Sequence, residues 1–180
     1  MKVFLTAILL LINIISFSQT IEELEYELSF FKSGEEWGNK KDIAFKLLKI
    51  DKLNARAIDY LVEVYGRKDQ RDSITNLFDK IIENNPNSPT PYIIRSSDRN
   101  AHFAGLTYTQ QIKYLKRAKE LENDNIEAIY MLGKLYYELF IKEYKDNRKK
   151  ENLNYYAENS IQYLSELCTL KENYRESLKF

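Results

Sequence analysis

The chain has 180 residues, with 27 basic and 27 acidic side chains and a formal net charge of zero. That balance argues against a nucleic-acid binder, which carries a clear basic excess. With 44% hydrophobic and 30% charged residues the composition is not that of a disordered chain, and 5 Gly with 3 Pro are too few turn-formers for a many-stranded sandwich or barrel.

Met1 to Ser18 reads MKVFLTAILLLINIISFS. Lys2 gives a positive start. Val3 to Ile15 is a run of 13 mostly apolar residues, broken by Thr6 and Asn13, and Ser16-Phe17-Ser18 places small residues where a signal peptidase reads. The layout is that of a secretory signal peptide, and the run is short of the roughly 20 residues of a spanning helix. The expected cleavage follows Ser18. Residues 19–180 then form the folded domain, exported through the Sec pathway to the periplasm or the cell exterior, with no membrane span in the mature chain. An uncleaved N-terminal anchor is the alternative. The single Cys, Cys168, has no internal disulfide partner.

From Ile21 onward apolar residues recur at helical spacing. Ile21, Leu24, Leu28 and Phe31 mark a first helix ending near Gly34. Ala44, Leu47 and Leu48 mark a second, and Ala57, Ile58, Leu61 and Tyr65 a third, ended by Gly66. Ile74, Leu77, Phe78, Ile81 and Ile82 form the cleanest stripe, with Asp72 or Ser73 as its cap and Asn84-Asn85-Pro86 as its stop. Tyr92 to about Phe103 is a weaker helix. Ile112, Leu115, Ala118 and Leu121 mark the next, and Ile126 to about Tyr144 a long one. Tyr156, Ala157, Ser160, Ile161, Leu164 and Cys168 form the stripe of the last, with a further turn expected from Tyr174 to Phe180. No stretch alternates with period two, so no sheet is expected.

The helices repeat. Lys46 to Ala57 ends one helix and opens the next; Lys80 to Pro91 does the same 34 residues later, Arg117 to Ala128 a further 37, and Glu166 to Ser177 a fainter 49 beyond. A 34-residue helix–turn–helix unit resembles the tetratricopeptide repeat, across about residues 37–178. The best match runs from Glu127 to Tyr137, with Leu132-Gly133 and then Tyr136; Ala118 and Pro86 sit at further positions of the family pattern. Departures are Leu61-Val62 and Arg95-Ser96 in place of Leu-Gly, three residues inserted near His102 to Tyr108, and about fifteen between Tyr137 and Tyr155. The resemblance implies an all-α fold, a short right-handed superhelix of antiparallel helix pairs. It also implies that the first helix of each unit lines a concave face. In that register the face shows Arg56, Asp59, Glu63 and Arg67 from one unit, and Glu127, Tyr130, Lys134, Tyr137 and Glu138 from another.

No catalytic grouping is found. His102 is the only His, read as a helix-end or loop residue, and Cys168 as a buried structural thiol. Glu122-Asn123-Asp124-Asn125 lacks the Gly and distant Glu of a calcium loop and reads as an interhelix turn capping the next helix. The charge run Lys142 to Glu151 reads as a solvated helix end. The expected function is an exported, non-enzymatic module that binds a protein or peptide on its concave face, with no cofactor, no metal and no nucleic acid. The alternatives are a small helical enzyme accessory, using carboxylates such as Glu63 and Glu138, or a self-associating helical bundle.

Overall fold

The computed structural model describes residues 20–29, 40–146 and 150–177. The expected signal peptide, its cleavage site and Gly34 lie outside the described residues. Among those described there are nine α-helices and no strand, so the chain is all-α: α1 (Ile21–Ser29), α2 (Lys41–Ile50), α3 (Ala55–Arg67), α4 (Arg71–Asn84), α5 (Thr90–Ser96), α6 (Asp98–Ala104), α7 (Tyr108–Leu121), α8 (Ile126–Lys145) and α9 (Lys150–Ser177). Contacts gather the chain into two compact units that part between Val64 and Tyr65, inside α3.

In the first unit, Thr20 opens α1 with a capping box. Its hydroxyl accepts from Glu23 N at 3.2 Å, and the Glu23 carboxylate accepts from Thr20 N at 3.0 Å, satisfying two donors that a bare helix start leaves orphaned. α1 packs on α2, and Leu24, Leu28, Ala44 and Leu47 are buried. Each fully buried Leu contributes roughly 1.5–3 kcal/mol. Asn54 caps α3 by accepting from Ala57 N at 3.0 Å, and its amide donates to Glu25 at 2.7 Å.

In the second unit, α4 packs on α5 and α6, α5 on α7, α7 on α8, and α8 on α9. Thr107 and Gln110 cap α7 reciprocally. The core gathers Leu115 and Ala118 from α7, Ala128, Ile129, Leu132 and Tyr136 from α8, and Tyr163 and Leu167 from α9. Four tyrosines make the α8–α9 seam: Tyr136 stacks on Tyr163 at 5.8 Å and meets Tyr155 edge-on at 6.0 Å, with Tyr156 at 6.4 Å. Gly133 lies under α9. A Cβ there would stand 3.0 Å from Leu164, and the Ser160 hydroxyl donates to its carbonyl at 3.2 Å. α8 and α9 are the two longest helices, at 20 and 28 residues.

One turn recurs. Asn54 N donates to Asp51 O at 3.1 Å, Ser88 N to Asn85 O at 3.2 Å and Asn125 N to Glu122 O at 3.1 Å, and Asp51, Asn85 and Glu122 are the C-caps of α2, α4 and α7. These turns are spaced by 34 and 37 residues, as the sequence reads. Burial keeps the same step, from Ala44 to Phe78 to Leu115 and from Leu47 to Ile81 to Ala118. Thr20, which caps α1, stands 34 residues before Asn54, which caps α3.

Four expectations are corrected. The stretch Tyr92–Phe103 is two short helices broken at Ser97, where Ser97 N, Ser97 Oγ and Asn100 Nδ2 all donate to the Ile94 carbonyl. Short polar side chains that bond to nearby backbone compete with helix continuation. Gly66 does not end α3, which runs on to Arg67; a Cβ at Gly66 would fall 2.2–2.7 Å from the Phe103 ring, so this position needs hydrogen for close approach. Neither Asp72 nor Ser73 caps α4, which starts at Arg71 after Gln70. On α9 the buried stripe is Ser160, Tyr163 and Leu167, turned about one position from the expected one, and Cys168 is exposed.

Candidate partner-binding face

The helix α8 carries a row of side chains on the side away from its buried stripe. Tyr130, Tyr137 and Tyr144 are each more than half exposed and follow at seven-residue intervals. Lys134 and Ile141 stand between them, so the row advances by four and three residues alternately. It spans about 21 Å at 1.5 Å per residue. Ala128, Ile129, Leu132 and Tyr136 anchor the opposite side in the core, which fixes how the row is presented.

Beside the row is a cleft of about 470 Å³, formed by α6, the start of α7 and α8, with Asp98, His102, Tyr108, Gln111, Glu138 and Lys142 in its walls. A second hollow of about 430 Å³ continues past Tyr137, Ile141 and Lys145. The Lys134 ammonium bonds the Asp98 carboxylate and lies 3.7 Å from Glu138. The hydrogen bond to Asp98 is the main cause that holds Lys134 above the usual lysine pKa, against the opposing effect of burial. Lys142 lies 5.7 Å over the Tyr108 ring, a cation–π contact that flattens its stem along the cleft wall. Aromatic faces, both signs of charge and a floor of amide and aliphatic groups suit a polypeptide ligand.

The expected face residues fall in two sets. Arg56, Asp59 and Glu63 belong to the first unit, where Arg56 and Asp59 are exposed and Arg56 pairs with Glu25 at 3.3 Å. Arg67, exposed at the end of α3, belongs to the second. Glu127, Tyr130, Lys134, Tyr137 and Glu138 come together along α8, with Glu127 exposed at its start. Lys134 and Glu138 are half-buried and engaged with each other, and Lys134 also with Asp98. His102 sits in the last turn of α6 and is exposed. Asp98, Tyr108, Ile141, Lys142 and Tyr144 were missed. The strict four-three spacing from Tyr130 to Tyr144 is the sequence signal that could have found the last of them. Asp98 and Tyr108 come from other helices and have no such signal.

No protein-family model matches the chain, and no curated protein matches it. No helix among the described residues is long and apolar enough to cross a membrane. Among the described residues no three His, Cys, Asp or Glu side chains cluster as metal ligands would.

Proposed function

We propose that the chain is an exported, tetratricopeptide-like interaction module, non-enzymatic, that holds a protein or peptide along α8. The turn at Asp51–Asn54, Asn85–Ser88 and Glu122–Asn125 supports the repeat reading, because one turn geometry recurs at steps of 34 and 37 residues, the first of them the family's own. Paired helix crossings support it too. Gly133 and Ser160 meet through Ser160 Oγ at 3.2 Å, and Ser96 and Gln111, which stand 37 and 49 residues before them, meet through Ser96 Oγ at 3.5 Å. Small residues thus let the helices approach at equivalent places.

The observation that carries the binding reading is the row Tyr130, Tyr137 and Tyr144 beside the cleft. Tyrosines held on a rigid helix bury large area at small entropic cost, and they are enriched at protein interfaces. The carboxylates Asp98 and Glu138 converge on one ammonium, that of Lys134, and serve to orient it. The test replaces Tyr130, Tyr137 and Tyr144 one at a time with a photo-crosslinking amino acid in cells, with the exposed α4 residue Glu83 as control. A defined higher-mass adduct from the α8 positions and none from Glu83 is expected. Equal adducts from all four positions, or none from α8, would overturn the assignment.

A further inference from the structure

We propose that the partner held along α8, on the binding reading given above and resting on it, is itself an α-helix packed against the tyrosine row at a shallow crossing.

The row has relief. Tyr130, Tyr137 and Tyr144 are 51%, 54% and 66% exposed, while Lys134 and Ile141 between them are half-buried. Three ridges therefore bound two recesses, one floored by Lys134 and the other by Ile141. Phe140 braces the last ridge by stacking on Tyr144 at 6.2 Å. From Tyr130 to Tyr144 the levels advance by about 6, 4.5, 6 and 4.5 Å, and the two recesses stand about 10.5 Å apart.

This spacing selects the partner's backbone. Side chains on one face of an extended strand recur every ~6.7 Å. A strand that seats one of them over Lys134 therefore brings its next two about 4 Å short of Ile141 and about 3 Å beyond it. A polyproline helix repeats every ~9.3 Å and has nothing at the levels between. The seam of an α-helix repeats every seven residues, or about 10.5 Å, in the same alternation of four and three that α8 shows. Two helices with this period interlock ridge into recess at about 20°.

The recesses also fix the partner's chemistry. Ile141 offers an aliphatic floor. An ammonium has three donors, and at Lys134 Asp98 accepts one while Glu138 stands 3.7 Å away, so at least one donor remains for a third acceptor. The matching helix carries a side-chain oxygen at one seam position and an aliphatic residue seven positions from it. One polar position in an apolar seam sets the register of such a pair. A second α8 does not meet this requirement. In-register parallel pairing sets Lys134 against Lys134, and antiparallel pairing about Tyr137 sets it against Ile141. The occupant is therefore a helix of another protein.

Photo-crosslinking from Tyr130, Tyr137 and Tyr144 of the full chain tests the helix once the joined partner residues are located by fragment mass spectrometry. The joined residues should advance along the partner by about seven per step, about fourteen in all. An advance of about three per step, as an extended segment gives, would overturn the helix and leave the face standing. Adducts between two copies of this chain would overturn it as well, and absence of adducts from α8 would remove the helix and the face together. A labelled peptide spanning the joined residues is then titrated with the purified chain by fluorescence anisotropy. Proline at a position between the joined residues that points away from α8 should weaken binding roughly tenfold or more, and alanine there should change it little. Equal effects of the two substitutions would overturn the helix.

Discussion

The Gly66 Cα faces the Phe103 ring so closely that a methyl group there would lie 2.2 Å from its Cδ1. The atoms in the way are the ring's inner edge, held by its own backbone, so relief requires the α6 segment to move. Gly66→Ala is expected to destabilise the protein by about 1–3 kcal/mol, despite the gain of nearly 1 kcal/mol in helix propensity. Phe103→Leu in the same chain should recover part of the loss. Urea denaturation of the four proteins of that cycle decides it, with additive effects counting against the contact. Gly133→Ala should cost less, because the Leu164 side chain it meets at 3.0 Å is partly exposed and can turn away.

Arg95 is 4% exposed, with its guanidinium 2.6 Å from Asp79, 4.5 Å from the Tyr114 ring centroid and 5.9 Å from that of Phe78. Its Nε finds no acceptor among the described residues. Removing only the counter-charge, with Asp79→Ala, leaves a buried cation and is expected to cost about 1–3 kcal/mol, tempered by the half-exposure of Asp79. Arg95→Leu places at this step the residue found at Leu61 and Leu132, and should be neutral or stabilising. Thermal melts of both variants at one pH test the contrast, and an equal loss in the two would count against it.

Alkaline pH should weaken the fold through the tyrosine seam. Burial pushes the Tyr136 phenol well above its ordinary value of 10.0, helped by its hydrogen bond to Tyr155, and burial raises Tyr163 as well. A group with a raised folded pKa holds its proton longer when folded, so its contribution is complete below about pH 10 and is lost as pH rises toward the folded value. Denaturation midpoints should fall steeply above about pH 10. Tyr136→Phe and Tyr163→Phe should flatten that fall, and an unchanged slope would refute the assignment.

Thr107→Ala removes the cap that starts α7 beneath the cleft, where Thr107 and Gln110 bond each other's backbone. A loss of about 1 kcal/mol is expected, against a change within about 0.3 kcal/mol for the exposed Thr109→Ala. Chemical denaturation of both variants provides the comparison.

Sequence periodicity was enough to place seven of the nine described helices and the 34- and 37-residue steps, because apolar spacing is a local property. It failed where tertiary contact decides. Helical spacing alone leaves both Tyr163–Leu167 and Ile161–Cys168 available as the inner stripe of α9; the four-tyrosine seam selects the first, and Leu164 comes in at its edge against Gly133. Arg95 in place of leucine looked like a decayed repeat, yet two aromatic rings and Asp79 make it a core residue. Along the candidate face, the register named Tyr130, Lys134, Tyr137 and Glu138 of α8 but stopped short of Ile141, Lys142 and Tyr144 on the same helix. The cleft was not, since Asp98 and Tyr108 enter it from separate helices.

The interruption at Ser97 leaves α5 and α6 with seven residues each. Helices that short have almost no cooperativity of their own and stand only by what their side chains grip. Backbone amides between Thr90 and Ala104 should therefore exchange with solvent ahead of those in the middle of α8. Asp98, which tethers Lys134, belongs to this fastest-opening stretch, so each local opening would release that lysine toward whatever lies along the tyrosines.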